Sequence, residues 1–268
     1  SNQRAHANTS GGMILDEVGM GKTRTAIELC KRTEGTSLIV VPMNLLNQWK
    51  LEMERCEISG FIYYGSNRVR DPTKLTTRKL ILTTFNTIAR DFGRCSELRL
   101  KYDEADASEQ VVIGQQLSSI DGLFRVRYAR VIIDESHRLC GNAMMACMHV
   151  NSASRWCLTA TPGKPDLLSR QLTFLNLNIP LTPSWMEQVI MGTSQAECVR
   201  FASLLSKFGR RTPRSLLEHI PTQETRHVHF VDLDQAKMDD YQRLVRYRES
   251  LILRHGITNG ALSWKYFN

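Results

Sequence analysis

A glycine-rich segment of the chain has residue types that could bind phosphate groups. Residues Asp16–Thr23 have the sequence Asp-Glu-Val-Gly-Met-Gly-Lys-Thr, and they lie between the apolar stretch Met13–Leu15 and a segment of helical period. Glycines at such a turn let backbone N–H groups close on phosphates, and the helix N-terminus adds positive potential. The pattern predicts a nucleotide-binding loop that contains Gly19, Met20, Gly21, Lys22, Thr23 and Arg24. A plain glycine-rich turn at a helix start is the alternative interpretation.

Two side chains of this loop have specific predicted roles. Lys22 would contact the β and γ phosphates, and the Thr23 hydroxyl would be a ligand of Mg²⁺. Asp16 stands at the first position of the motif, where the generic pattern has glycine. The general motif is therefore matched with one departure.

A pair of acids follows a second apolar run. In Arg130–His137, with the sequence Arg-Val-Ile-Ile-Asp-Glu-Ser-His, Asp134 is placed to hold Mg²⁺ through its water shell, and Glu135 to orient or deprotonate a water molecule. The alternative is a pair of ordinary strand-end acids that cap the next helix. Together with the upstream loop, the pair predicts nucleoside-triphosphate hydrolysis, with Glu135, Lys22 and Asp134 as the catalytic residues.

Small hydroxyl residues end a third apolar run. Thr159, Ala160 and Thr161 precede Pro162, and the two threonine hydroxyls could hydrogen-bond to the acid motif and transmit the nucleotide state to a nucleic-acid surface. The alternative is a simple strand-to-loop turn that Pro162 closes.

Much of the positive charge is concentrated in residues 61–101. The whole chain of 268 residues has a net charge of +8, and this segment has nine Lys and Arg against three Asp and Glu. Such a cluster, with hydroxyl and amide donors at a strand end, suits contact with a phosphate backbone. A solubilising face is the alternative. The candidate nucleic-acid contacts in the segment are Arg68, Arg70, Arg78, Lys79, Thr83, Thr84 and Asn86.

The elements that must position these residues alternate along the chain. Short Val-, Ile- and Leu-rich runs separated by helical periods are typical of a doubly wound α/β fold with a parallel sheet. The predicted helices are 22–31, 45–55 and 167–176, and the predicted strands are Met13–Leu15, Leu38–Val41, Phe61–Tyr64, Leu80–Thr83, Arg130–Ile133 and Arg155–Leu158.

The predicted domains are an α/β lobe over residues 1–180, a helical protrusion over 181–225, and a strand and helix over 226–268. The polar stretch 91–119 has no clear period and is interpreted as an irregular insertion, within which Asp103–Asp106 is a solvated acidic loop. The composition, 42% apolar and 23% charged, excludes disordered, collagenous and coiled-coil classes. No apolar run approaches the length that spans a bilayer, and no secretory signal is visible.

The motifs, in this order and spacing, resemble those of the Swi/Snf family of helicase-like DNA translocases in helicase superfamily two. An aspartate at the head of the first motif is usual in that family, whereas Ser136 and Ala160 replace its commoner residues. The sequence of residues 123–134 is similar to those of the repair-associated, RING-bearing subgroup of this family. The resembling strings are Gly11–Thr23, Leu38–Trp49, Leu82–Phe85, Val131–His137 and Arg155–Pro162.

The resemblance implies a RecA-like first motor lobe that binds ATP and Mg²⁺ and, with a second lobe, moves along double-stranded DNA. It implies that His137 and residues 159–161 couple hydrolysis to movement, and that Pro42 and Asn44 join the DNA contacts. Nothing in the chain resembles the second lobe's motifs, so the sequence predicts half of a motor. Chromatin or repair proteins are further expected partners, and the expected location is intracellular, in the nucleus of a eukaryote.

Two other functions stay open at this point. One is the lobe of a superfamily-two RNA helicase, and the other is a nucleotide-gated scaffold that grips DNA without hydrolysis. The intact Lys22 and Glu135 count against the scaffold.

Overall fold

The described residues form a parallel sheet of seven strands. The computed structural model describes residues 11–163, 165–176, 199, 203, 206–212, 235, 237–239 and 241–243. Within them the strands are β1 (Gly11–Ile14), β2 (Ser37–Val41), β3 (Gly60–Tyr63), β4 (Leu80–Thr84), β5 (Arg130–Asp134), β6 (Arg155–Leu158) and β7 (Gly209–Arg210). Every pair is parallel, and the order across the sheet is β3-β4-β2-β5-β6-β1-β7.

Helices follow most of the strands. They are α1 (Lys22–Arg32), α2 (Leu46–Arg55), α3 (Pro72–Leu75), α4 (Phe85–Glu104), α5 (Ala107–Ile120), α6 (Gly122–Arg125), α7 (Gly141–His149) and α8 (Pro165–Phe174). Single 3₁₀ turns occupy Met43–Leu45 and Ser136–Arg138. No described helix is both long enough and apolar enough to cross a membrane.

Both faces of the sheet are covered, which explains the continuous apolar runs of the central strands. All five residues of β2 are buried, and its side chains alternate between two apolar clusters. Leu38 and Val40 belong to one cluster, whereas Ile39 and Val41 belong to the other. Parallel strands buried on two faces lack the polar alternation of a one-sided sheet. The predicted doubly wound, RecA-like α/β fold is confirmed.

The carboxyl ends of all strands lie at one edge of the sheet, which we call the carboxyl edge. The strand register places Asp134 beside Leu158, and Leu158 beside Ile14. The segments that follow β1, β5 and β6 therefore start next to one another. In open α/β sheets this is the edge at which ligands bind.

The prediction of an irregular insertion over 91–119 is wrong, because this stretch is helical. Helix α4 starts at the Thr84 side chain, which accepts a hydrogen bond from the Thr87 N–H, and it continues for 20 residues. Its buried residues Ile88, Asp91 and Cys95 have helical spacing, but the acid interrupts the apolar stripe. Asp106 begins α5 with a capping box to Glu109. The predicted acidic loop is thus the exposed junction of two helices.

The seventh strand was not predicted. β7 has only two residues and pairs with Met13 and Ile14 of β1. Gly12 makes this close approach possible, since a Cβ there would lie 2.4 Å from the Phe208 carbonyl oxygen. Two residues in a basic stretch carry no periodicity that a sequence pattern could detect.

The chain divides into two compact units, residues 1–218 and 219–268, and the sheet belongs to the first. In the second unit, residues 235, 237–239 and 241–243 are helical. The predicted boundaries at 180 and 225 lie outside the described residues, as does most of the predicted protrusion and of the strand and helix after it.

Candidate active site

The glycine-rich loop connects β1 to α1 at the carboxyl edge. Gly19 and Gly21 have φ angles of 84° and 82°, a left-handed conformation that residues with a Cβ rarely adopt. Gly21 begins α1 without a side-chain cap, and the first turn of α1 has no acidic residue. The first N–H groups of this helix therefore have no side-chain acceptor at its start, and they create positive potential there.

The Lys22 ammonium folds back onto this loop. Its Nζ donates to the carbonyl oxygens of Asp16 and Glu17, at 2.7 and 3.0 Å. The cation also lies close enough to the end of β5 for its charge to favour the ionised form of Asp134. Sequence reasoning predicted this loop, and the structure brings its lysine to the acid pair.

Asp134 is the last residue of β5 and has 5% exposure. Its Oδ1 accepts the Glu135 N–H at 2.9 Å, and its Oδ2 accepts the Trp49 indole N–H at 2.7 Å. Burial raises the pKa of this carboxyl above its ordinary value, an effect that the Trp49 bond opposes. The predicted core residue Trp49 is buried, and its contact with the acid motif is one that sequence reasoning missed.

Glu135 turns away from its neighbour. Its backbone is left-handed, with φ 48° and ψ 47°, a conformation that costs a non-glycine residue about 1–3 kcal/mol. The side chain is 30% exposed, and its Oε2 lies 3.3 Å from His137 Nδ1. The two acids therefore differ in environment, one buried and doubly hydrogen-bonded, the other facing solvent, as two distinct roles require.

The predicted coupling residues form a chain of contacts. His137 Nδ1 lies 3.0 Å from Thr159 Oγ1, which accepts the Thr161 N–H at 3.1 Å. The segment after β6 is thereby joined to the acid motif through His137. Ala160 has no polar side chain and lies between the two threonines.

A second connection between the same segments was not predicted. The buried side chain of Gln171 in α8 accepts a hydrogen bond from Ser136 Oγ at 2.8 Å and donates one to the Pro162 carbonyl at 2.6 Å. Ser136, a departure from the resembled family, thus has a polar partner. A lone glutamine in a helical period gave no signal of this contact.

The donor set fits a magnesium nucleotide. An ammonium group and a helix N-terminus without acidic residues are suited to binding phosphates. A carboxylate held in one orientation is suited to a cation that keeps part of its water shell. Lys22, Thr23 and the loop backbone would bind the phosphates and metal, and Asp134 would bind the metal through water. Met20 and Arg24 lie within or directly after this loop.

The side chains of Asp16 and Glu17 explain why this loop departs from the generic pattern. Asp16 Oδ1 accepts the Thr212 N–H at 2.6 Å, and Glu17 Oε1 accepts Arg211 Nη2 at 3.0 Å. The head of the loop is thereby fixed to the segment after β7. A glycine at position 16 would lose the first of these bonds.

The structure divides the candidate nucleic-acid residues between two edges of the sheet. Five of them lie at the carboxyl edge. Two follow β2, namely Pro42 and Asn44, and the other three end or follow β4, namely Thr83, Thr84 and Asn86. Of these, Asn44 and Asn86 are exposed, whereas Pro42, Thr83 and Thr84 are buried.

The expected grouping of Arg78 and Lys79 with those residues needs correction. Both precede β4 and lie at the opposite edge of the sheet. The five residues of β4 rise about 3.3 Å each, so the two edges are about 16 Å apart along this strand. Arg78 contacts Ser59 and the Phe61 ring, and Lys79 donates to the Thr33 carbonyl. Proximity in sequence had placed them with the strand end.

Arg68 forms a buried ion pair. Its guanidinium contacts the Asp91 carboxylate, with side-chain exposures of 6% and 1%, and Tyr63 OH donates to the same carboxylate at 2.8 Å. Arg70 follows in the same segment and is half-buried. The contacts of Arg68 bind the segment after β3 to α4.

We expect Arg68→Ala to lower the free energy of unfolding by about 3–5 kcal/mol, because it leaves the Asp91 charge buried without its partner. Urea denaturation followed by circular dichroism measures the change. Arg94→Ala, at an exposed position of α4, is the matched control and should change stability by less than about 0.5 kcal/mol. A native-like stability of the Arg68 variant with weakened DNA binding would instead favour the predicted DNA contact.

The sheet order, the glycine loop before α1 and the acid pair at the end of β5 together define a P-loop ATPase lobe of the helicase-like class. Residues 2–264 match the SNF2-related domain. The chain belongs to this family.

Sequence similarity to known proteins supports the same assignment. The DNA repair protein RAD5 of Yarrowia lipolytica is 28% identical over 161 residues, which cover 57% of this chain and 15% of that protein. The human helicase-like transcription factor is 26% identical over 237 residues, covering 83% of this chain and 20% of that protein. The chain therefore spans a fifth or less of the length of these relatives.

The fold also matches a solved structure. The Sulfolobus solfataricus SWI2/SNF2 ATPase core in complex with dsDNA superposes with a TM-score of 0.59 at 19% identity, over 91% of this chain and 49% of that one. The likeness at this identity concerns the fold.

Proposed function

We propose that the chain is the first motor lobe of a DNA-dependent ATPase that moves along double-stranded DNA. The observation that carries the proposal is the convergence of the glycine loop, Lys22 and the acid pair at one edge of the sheet. The names of the curated relatives support a place in DNA repair or transcription, and the solved neighbour's complex with dsDNA supports the substrate. A nuclear location in a eukaryote belongs to the same proposal.

Each residue of the site has a distinct part in hydrolysis. Bound ATP supplies the phosphoanhydride bond, and Mg²⁺ supplies charge that stabilises its phosphates. Lys22 would exchange its loop carbonyls for phosphate oxygens, and Asp134 would hold the metal through its water shell. Glu135, whose carboxylate is partly exposed, orients the attacking water and accepts its proton.

The contacts of His137 support its proposed role in coupling. Its Nδ1 contacts both the Glu135 carboxylate and the Thr159 hydroxyl, so the two groups share one ring nitrogen and a shift of either alters the other's contact. Thr159 and Thr161 then transmit the nucleotide state to the segment after β6. In the proposed motor, a second RecA-like lobe receives this change.

Comparison of nucleic acids tests the proposed class. In a protein that carries both lobes, duplex DNA should stimulate ATP hydrolysis more than RNA of equal length and concentration. Stimulation by RNA alone would favour the RNA helicase, and nucleotide-dependent DNA binding without hydrolysis would favour the scaffold.

The carboxyl edge and the first turns of α4 are the proposed DNA surface. Asn86, Arg90 and Arg94 are exposed along one side of this helix at a spacing of four residues. They continue from the end of β4, which belongs to the same edge as the nucleotide loop. Phosphates bound here would lie on the lobe's nucleotide side.

We expect Arg90→Gln and Arg94→Gln to make the affinity for duplex DNA less dependent on salt. If the replaced arginine contacts a phosphate, the slope of log affinity against log salt concentration should become about 0.9 less steep. Fluorescence anisotropy at several salt concentrations measures the slope. Affinity should depend little on DNA sequence, because phosphate contacts carry no base information.

Arg78→Gln and Lys79→Gln are the matched controls, since they remove the same charge at the opposite edge of the sheet. Their slopes should stay at the native value. Flattening in these two variants, with native slopes for the α4 variants, would move the DNA surface to the opposite edge.

A further inference from the structure

We propose that Trp49 is a positioning residue for the hydrolytic site, because its indole N–H fixes the carboxylate of Asp134 toward the metal. The inference rests on the proposed function and adds a residue of α2 to it. Trp49 Nε1 donates to Asp134 Oδ2 at 2.7 Å, and the two residues have 1% and 5% exposure. Water therefore cannot readily replace this bond.

The bond completes the orientation of the carboxylate. The other oxygen, Oδ1, accepts the Glu135 N–H at 2.9 Å, so two donors from different segments fix the two oxygens. A carboxylate has about four acceptor positions, which leaves one or more on each oxygen for the metal's water. Rotation about the Cβ–Cγ bond would break both contacts at once.

The donor is neutral, and this suits a metal ligand. An arginine or lysine at the same place would cancel the charge of Asp134 and weaken its attraction for Mg²⁺. An indole N–H stabilises the buried anion by a hydrogen bond and leaves its full charge for the cation.

The packing of α2 holds the indole ring in place. Leu46, Trp49 and Met53 are the buried residues of this helix, with a spacing that puts them on one face. They share an apolar cluster with Ile132, which lies two residues before Asp134 and so on the same face of β5. The ring therefore packs on the strand that carries its hydrogen-bond partner.

A conservative substitution tests the role of the N–H. Trp49→Phe keeps an aromatic ring and removes the donor. Outer-sphere partners of metal ligands typically contribute 10- to 100-fold in metal affinity or activity, so the variant should need about 10-fold or more Mg²⁺ for half-maximal Mg²⁺-dependent binding of a fluorescent ADP analogue. Metal-free binding of the analogue should change less than about twofold.

Trp156→Phe is the matched control, because Trp156 is a partly buried residue of β6 that packs on the same cluster. Its Mg²⁺ requirement should be native. A purely structural role for Trp49 would lower the melting temperature with an unchanged Mg²⁺ requirement, and that result would overturn the proposal. Failure of the two-lobed protein, without any substitution, to bind the analogue would overturn the proposed function itself.

A second measurement works without folding of the Trp49 variant. In the unmodified, ¹⁵N-labelled chain, the Trp49 indole N–H should exchange slowly with solvent, and its NMR resonance should shift when Mg²⁺ is added with ADP. Asp134→Asn should remove the Mg²⁺-dependent shift. If the chemical shift of this N–H stayed the same on addition of Mg²⁺ while ADP was bound, the inference would be contradicted.

Discussion

Addition of a second motor lobe to this chain should raise its ATP hydrolysis in the presence of duplex DNA by about 10³- to 10⁵-fold. In the proposed motor, Lys22, Asp134 and Glu135 of this lobe would contact ATP, Mg²⁺ and the attacking water from one side only. Charge that develops on the transferred phosphoryl group must also be neutralised, and in the motors that the sequence resembles this falls to arginines across the cleft. An arginine supplied in this way accounts for a rate factor of that size in other phosphoryl-transfer proteins.

The comparison is between the 268-residue chain and a protein extended through a second lobe, assayed by phosphate release with saturating duplex DNA. The chain alone should fold and bind ATP at best weakly. A variant of the extended protein without the second lobe's arginines separates their effect from that of lobe closure. Multiple turnover by the chain alone at the extended protein's rate would refute the half-motor proposal.

Glu135→Gln should slow hydrolysis at least about 100-fold and leave ATP binding in place, because the amide cannot accept the proton of the attacking water. The substitution keeps the size of the side chain at a position whose backbone is left-handed. Single-turnover hydrolysis and equilibrium nucleotide binding in the two-lobed protein measure the two effects separately. Loss of binding together with hydrolysis would assign Glu135 to nucleotide or metal binding instead.

Lys22→Ala is the contrasting variant and should abolish hydrolysis through loss of the phosphate-binding cation. It also removes the two hydrogen bonds to the loop carbonyls, so thermal unfolding should be recorded beside activity. Near-native DNA-stimulated turnover in this variant would contradict the proposed phosphate loop.

The sequence by itself determined the fold class and the nucleotide motifs. Its apolar runs predicted six strands within one or two residues of their observed ends, because strands buried on both faces need continuous Val, Ile and Leu. The glycine loop and acid pair were visible because their function depends on local residue order. The spacing of Gly19, Gly21 and Lys22 is set by one turn and one helix start.

Only the tertiary structure decided which residues contact one another across the sheet. Trp49 and Asp134 are 85 residues apart, and Asp16 and Thr212 are 196 apart, so no periodicity could pair them. The same reason separated Arg78 from Thr83, which the sequence places five residues apart but the strand places at opposite edges. Arg68 was predicted to contact DNA from the surface, whereas in the structure it pairs with the buried carboxylate of Asp91. The sequence could not show this, because burial depends on the packing of segments that are distant in the chain.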